Sequence, residues 1–218
     1  MKMKFYQSIR WSHKINKRLV EVRKTLPKEY IGIHYREYKE AGDGADANNP
    51  NSSIKVFNPA RFSDNSPLTS FAEMIQYSNC SFLFISNNPQ SLGDLKKLAP
   101  VQANYIKTVP KQSSDRTTTQ GILDAVIDFI LLSESKLIIG SFYSSFSDEA
   151  SNFHLVPKIC PLNKDLVEVV RKNGASNYHC YNFNELNVMK ESYFGLHLNL
   201  HTISKYMLGN LDTLDNSD

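Results

Sequence analysis

Apolar and polar positions follow two rhythms along the chain. From residue 12 to 26, Ile15, Leu19, Val22 and Leu26 recur at steps of four and three, which makes one stripe of an amphipathic helix. Ser12 suits its N-cap and Pro27 lies beyond its end. Tyr30 to Tyr35 then reads as a short buried strand running straight into Arg36, Glu37, Tyr38 and Lys39. The spacing of Phe71, Met74 and Ile75 predicts a helix from about Ser66 to Tyr77. Ser81–Ser86 predicts a strand, Asn87–Pro89 a turn, and the residues to Leu98 a helix with Pro89 in its first turn. A short strand follows at 104–109, then a strong helix from Gly121 to Ser133 and a buried strand at Lys136–Gly140. Ser144–Ala150 reads as a loop turning into a helix, and Leu155–Ile159 as the last clear strand.

Strands that alternate with helices imply an α/β fold: a Rossmann-like, mostly parallel sheet with helices on both faces. Residues 1–165 are expected to form this domain, 166–211 to pack on it, and 212–218 to fray. Within 166–211, Leu166 to Gly174 suggests a helix and Tyr178–Tyr181 an edge strand. Residues 40–66 are small, polar and turn-forming, and so long a loop in a compact domain is more often functional than idle. In parallel sheets ligands sit beyond the carboxyl ends of the strands. That rule singles out Arg36, Asn87, Asn88 and the Ser144–Ser147 bend.

The chain's 218 residues and 24.8 kDa suit one domain, at most two small ones. Apolar residues at 41% supply enough surface to offset the entropy of ordering, so general disorder is excluded. No apolar run approaches the roughly 20 residues of a membrane span, and Met1–Lys4 does not lead into a secretory h-region. A cytoplasmic protein is the resulting expectation. A net charge of +3 gives no reason to expect nucleic acid as a partner. Cys80, Cys160 and Cys180 have no C-x-x-C pairing and read as buried reduced thiols.

Arg36 ends the first strand two residues after His34, and a guanidinium fork matches a diphosphate with two parallel charge-assisted bonds. A surface arginine beside a core histidine has the same pattern. Ser144, Ser145, Phe146 and Ser147 lie where a strand becomes a helix, and hydroxyls with helix N-terminal N–H groups can hold an anion. The ordinary alternative is N-capping by Ser147, with Asp148 and Glu149 complementing the dipole. Asp124 and Asp128 stand one turn apart among apolar residues and need donors. Guanine offers N1–H and N2–H₂ side by side; Arg116 or a lysine would serve equally. No P-loop, dinucleotide fingerprint, nucleophile elbow or metal-ligand spacing occurs, so no metal or other cofactor is expected.

Taken in order, several of these segments resemble one family. Ile31–Arg36 resembles the "G-[VI]-H-x-R" motif of the fucosyltransferase superfamily, the group of NodZ, the α-1,6-fucosyltransferases and the protein O-fucosyltransferases. Phe84–Pro89 stands where that family has "A-T-D-D-P". Asp128–Ser133 resembles its "D-x-x-x-L-S" helix, Ile138–Ser147 its "S-S-F-S" segment, and Arg116 precedes Asp128 by the spacing of a family arginine. The resemblance spans roughly residues 12–160. It implies the nucleotide-binding half of a GT-B glycosyltransferase, metal-independent and inverting, taking fucose or a related sugar from a GDP-sugar to a carbohydrate hydroxyl. It further implies Arg36 on the β-phosphate, His34 beside the nucleotide, Asp128 on the guanine edge, and Ser144, Ser145 and Phe146 around phosphate. Where the family has a second arginine and an aspartate after Arg36, this chain has Glu37 and Lys39, and Asn87 and Asn88 replace two aspartates. The family's N-terminal half has no counterpart before the first strand, so the acceptor wall is expected from the 40–66 loop, the C-terminal segment or a second chain. A nucleotide-sugar or glycan-binding module without catalysis, and a GDP-sugar hydrolase, are the competing expectations.

Overall fold

The computed structural model of the chain describes residues 5, 6, 8–37, 62–76, 78, 80–113, 115, 117–142, 144–162, 180 and 181. Helix α1 (His13–Arg23) opens on Ser12, whose hydroxyl accepts the Ile15 N–H at 3.4 Å. Strand β1 (Ile31–Tyr35) is buried along its whole length. A short helix α2 (Phe62–Asn65) precedes α3 (Leu68–Ile75), which buries Phe71, Ala72, Met74 and Ile75. Then come β2 (Phe82–Ser86), α4 (Ser91–Leu98), β3 (Ile106–Lys107) and α5 (Thr119–Ser133). The remaining elements are β4 (Ile138–Gly140), α6 (Ser145–His154), β5 (Lys158–Pro161) and β6 (Cys180–Tyr181).

All described strand pairs are parallel, in a six-stranded sheet of order β3-β2-β1-β4-β5-β6. That is the doubly wound order, and it confirms the expected α/β fold. Alternation along β1 divides the core. Ile31, Ile33 and Tyr35 join Phe82, Phe84 and Ile139 beneath α3 and α4. On the other face Leu83, Ile85 and Ile138 meet Leu19 and Val22 of α1, Ile127, Ile130 and Leu131 of α5, and Ala150 of α6. Each sheet face is thus covered by helices, and burial of these side chains drives the layering.

Two glycines let the second helix layer approach closely. A Cβ on Gly32 would lie 2.6 Å from Leu132 Cδ1, and one on Gly140 would lie 2.7 Å from Ser147 Oγ. Both distances are far inside van der Waals contact.

Several boundaries differ from the sequence expectation. β3 is only two residues long, because Thr108 turns its hydroxyl onto the Phe84 carbonyl at 3.0 Å and Pro110 has no N–H to offer a ladder. The last clear strand starts at Lys158 rather than Leu155, since α6 runs on to His154. Helix α2 stands inside what the polar composition of 40–66 marks as loop. β6 occupies the edge position expected of 178–181. The expected helix at 166–174, the rest of the 166–211 segment apart from 180 and 181, and the tail at 212–218 lie outside the described residues.

Candidate functional site

The strand order reverses at β1, with β2 on one side and β4 on the other. Chains leaving neighbouring strands on either side of such a reversal diverge, which opens a crevice at their carboxyl ends. Here the crevice is flanked by Arg36 and Glu37 after β1 and by 141, 142 and 144–147 after β4. The two segments are tied together. The Arg36 N–H donates to Ser141 Oγ at 3.0 Å, and the Ser141 N–H donates to the His34 carbonyl at 2.9 Å. His34 Nδ1 lies 3.4 Å from Ser144 Oγ, and both side chains are buried, with residue exposures of 4% and 1%. Ser144 also takes the N-cap position of α6 in extended conformation, but its side chain makes no capping bond. Ser147, the residue expected to cap, lies within the first turn, fully buried, and donates to the Ser144 carbonyl at 3.1 Å. Ser145 is exposed and Phe146 half-buried.

Glu37 organises the opposite wall. Its N–H donates to Asn87 Oδ1 at 2.8 Å, and Asn87 Nδ2 donates to its carbonyl at 2.7 Å. Its carboxylate accepts from the Asn88 amide and from Ser91 Oγ, the latter at 3.0 Å. One acidic residue after β1 therefore holds the whole turn after β2 and the first residue of α4.

Beyond β1, β2 and β3 lies a cavity of about 310 Å³. His34, Asn87, Asn88 and Phe146 line it, with Lys111, Asp124 and Asp128 at the α5 side. Asp128 is buried, with its residue 4% exposed, and its Oδ2 pairs with Lys111 Nζ at 2.7 Å. Lys111 also donates to the Ser86 carbonyl at 2.9 Å. Asp124 has another task. Its Oδ2 accepts the N–H groups of Gln112 and Ser113 at 2.7 and 2.9 Å, which fastens the β3–α5 loop to the helix. The same loop is held by Arg18, which donates to the Pro110 carbonyl at 2.9 Å. Farther along, the Thr117 hydroxyl and N–H both reach Asp115, and these bonds hold its carboxyl below the usual carboxylate range.

The sequence-predicted residues therefore fall into three groups. His34, Asn87, Asn88, Asp128 and Phe146 line the cavity together. Arg36, Ser144, Ser145 and Ser147 do not line it; they stand at the adjoining β1–β4 crevice. Arg116 lies outside the described residues. The lysine that could satisfy Asp128 is Lys111. Two positions that shape this region escape sequence reasoning. Glu37 is fifty residues from Asn87, and Lys111 is seventeen from Asp128, so only the packed sheet brings them together. One faint signal existed for Lys111, a cation directly after Val109–Pro110 at the end of a strand.

Among the described residues no group of His, Cys, Asp and Glu has the disposition of a metal site, and no helix is long and apolar enough to cross a membrane. No protein-family model matches the chain, and no curated protein matches it. Among solved structures it is similar to one described as the crystal structure of NodZ alpha-1,6-fucosyltransferase soaked with GDP-fucose. The identity is 20%, the TM-score 0.45, and the similarity covers 70% of this chain and 45% of that one, so this chain spans less than half of that structure. The doubly wound α/β fold stands on the strand order itself: the chain is a parallel-sheet domain with a cavity at the carboxyl ends of β1, β2 and β3.

Proposed function

We propose that the chain is the donor-binding half of a GT-B glycosyltransferase, metal-independent and inverting, that transfers fucose or a related sugar from a GDP-sugar to a carbohydrate hydroxyl. The observation that carries this reading is the adjacency of the Arg36 segment and the serine bend, joined by the 3.0 Å bond from the Arg36 N–H to Ser141 Oγ. A guanidinium-bearing strand end and a helix N-terminus side by side provide positive potential for a diphosphate. The base would occupy the neighbouring cavity beside Asp128, with His34 and Phe146 between base and diphosphate.

In this mechanism an acceptor oxygen attacks C1 of the sugar from the face opposite the diphosphate. The C1–O bond to phosphate breaks, GDP leaves with the electron pair, and the acceptor proton passes to a base or to solvent. Negative charge grows on the diphosphate through an oxocarbenium-like transition state. Arg36 and the α6 N-terminus stabilise that charge; loss of one such donor typically costs about 10²- to 10³-fold in kcat. Arg36→Ala is the test. GDP-fucose turnover falling by that factor in a folded variant supports the reading, and near-normal turnover removes it.

One observation favours a second reading, a module that binds a nucleotide sugar without acting on it. The carboxylates of Glu37, Asp124 and Asp128 are all engaged in bonds within the chain, which leaves none of these three poised as a base. Release of neither GDP nor sugar from a donor that binds would select it. Free sugar without any acceptor would select a GDP-sugar hydrolase instead.

A further inference from the structure

We propose that Cys160 and Cys180 form a reversible disulfide that staples the edge strand β6 to the sheet. The bond uses no residue of the cavity or of the β1–β4 crevice, so it stands apart from the proposed function.

Strand register brings the two residues together. β5 and β6 pair in parallel, with Cys160 opposite Cys180 and Pro161 opposite Tyr181. Neighbouring strands lie about 4.8 Å apart, and register partners occupy the same face of a sheet. A disulfide needs Cα atoms about 4.4–6.8 Å apart. The backbone thus sets these cysteines at a spacing that one S–S bond spans. Spacing in the sequence hides this, because the partners are brought side by side only by the pairing of β6. Cys80 stands elsewhere. It precedes β2, and both β1 and β4 lie between β2 and β5. Three strand spacings are about 14 Å, beyond the reach of a disulfide.

The edge of the sheet also has room to adjust. β6 is two residues long and ends the described sheet order, and Pro161 brings no N–H to the ladder. A disulfide draws Cβ atoms to about 3.8 Å, closer than paired strands usually hold them. So short a pairing can yield that distance, and the tension kept in the bond makes it reducible. Cys160 is 2% exposed, so exchange proceeds through local opening, which costs little for a two-residue edge pairing. Oxidised glutathione supplies the oxidising equivalents. One cysteine thiolate attacks its S–S bond, forms a mixed disulfide and releases one glutathione thiolate. The other thiolate attacks the protein sulfur of that mixed disulfide, closes the Cys160–Cys180 bond and releases the second. Two thiols lose two protons and two electrons, and one oxidised glutathione becomes two reduced ones.

The test is oxidation of the folded full chain with oxidised glutathione, then alkylation and peptide mapping by mass spectrometry. The expected product is a single chain with Cys160 and Cys180 in one linked peptide and Cys80 outside it. Closing the loop from 160 to 180 should raise the melting temperature by about 5–10 °C, and excess reduced glutathione should reverse both changes. Cys180→Ser should lose the linked peptide and the rise, while Cys80→Ser should keep both. Recovery of Cys160 and Cys180 without a bond between them from folded, oxidised protein overturns the proposal, and the wild type alone decides this if a variant does not fold. A linkage through Cys80, a linkage between two chains, or one that forms only in urea overturns it equally. A linked chain that melts no higher than the reduced one overturns the stapling of β6.

Discussion

The His34 ring stacks on Phe146, with centroids 4.9 Å apart and planes 29° from parallel. This contact couples the end of β1 to the first turn of α6, the two elements that flank the strand reversal. Phe146 also meets Phe129 of α5 edge-on, with centroids 5.7 Å apart. It is therefore a keystone among three elements.

Phe146→Ala should lower unfolding free energy by about 2–3 kcal/mol, at or just under the low end for truncating a buried aromatic because the ring is half-buried. Urea denaturation measures this. Phe146→Leu, which keeps bulk but no ring, should recover about half of the loss. Full recovery by leucine would mean that packing volume, not stacking, is what the site needs.

Glu37→Ala should cost about 1–3 kcal/mol, because the Asn88 amide and the Ser91 hydroxyl lose their common carboxylate acceptor. The backbone bonds between residue 37 and Asn87 should survive, since they do not use the side chain. Amide hydrogen exchange should thus quicken at the start of α4 more than at residue 37 itself. Uniform quickening across β1 and β2 would contradict the local clamp.

Tyr30 sets an alkaline limit. Its hydroxyl donates to the Leu131 carbonyl at 2.8 Å, and burial, with the Glu134 charge nearby, pushes its pKa well above the ordinary 10.0. A raised pKa in the folded state means that the contribution is complete below pH 10 and is lost as pH rises, because the unfolded chain releases the proton first. Stability should therefore decline from about pH 10 upward. Tyr30→Phe should cost about 1 kcal/mol at neutral pH and flatten that decline. Chemical denaturation at pH 8, 9, 10 and 11 gives both values; an unchanged slope in the variant would assign the alkaline loss elsewhere.

Gly140→Ala should destabilise by about 1–3 kcal/mol through overpacking, since the new methyl would meet Ser147 Oγ at 2.7 Å and Lys158 Cε at 2.8 Å. Pairing it with Ser147→Ala, which removes the Oγ contact but keeps the one to Cβ at 2.9 Å, should recover part of the loss. The double-mutant cycle on thermal unfolding reads that recovery.

Strands β1, β2 and β4 were legible because each is a short, nearly continuous apolar run, as expected of strands buried on both faces. The stripe on α1 and the length of α5 were equally plain. β3 was overread, since Thr108 and Val109 carry strand propensity but are recruited to the loop that shapes the cavity. Asp124 and Asp128 look alike in sequence, but different parts of the β3–α5 loop reach them. Gln112 and Ser113 bring backbone N–H groups to the first, and Lys111 brings an ammonium to the second. Local pattern carries the layers of the fold; pairings across fifty residues, such as Glu37 with Asn87, come only from tertiary packing.

The anchoring of the β3–α5 loop has a kinetic consequence. Its Pro110 carbonyl, its Gln112 and Ser113 amides and its Lys111 ammonium are each fixed from a different quarter, by Arg18, Asp124 and the Ser86–Asp128 pair. A molecule captured there as proposed would meet walls already in position and surrender little conformational freedom. Association should then track the rate of diffusive encounter, and tighter or looser ligands should differ chiefly in how long they stay.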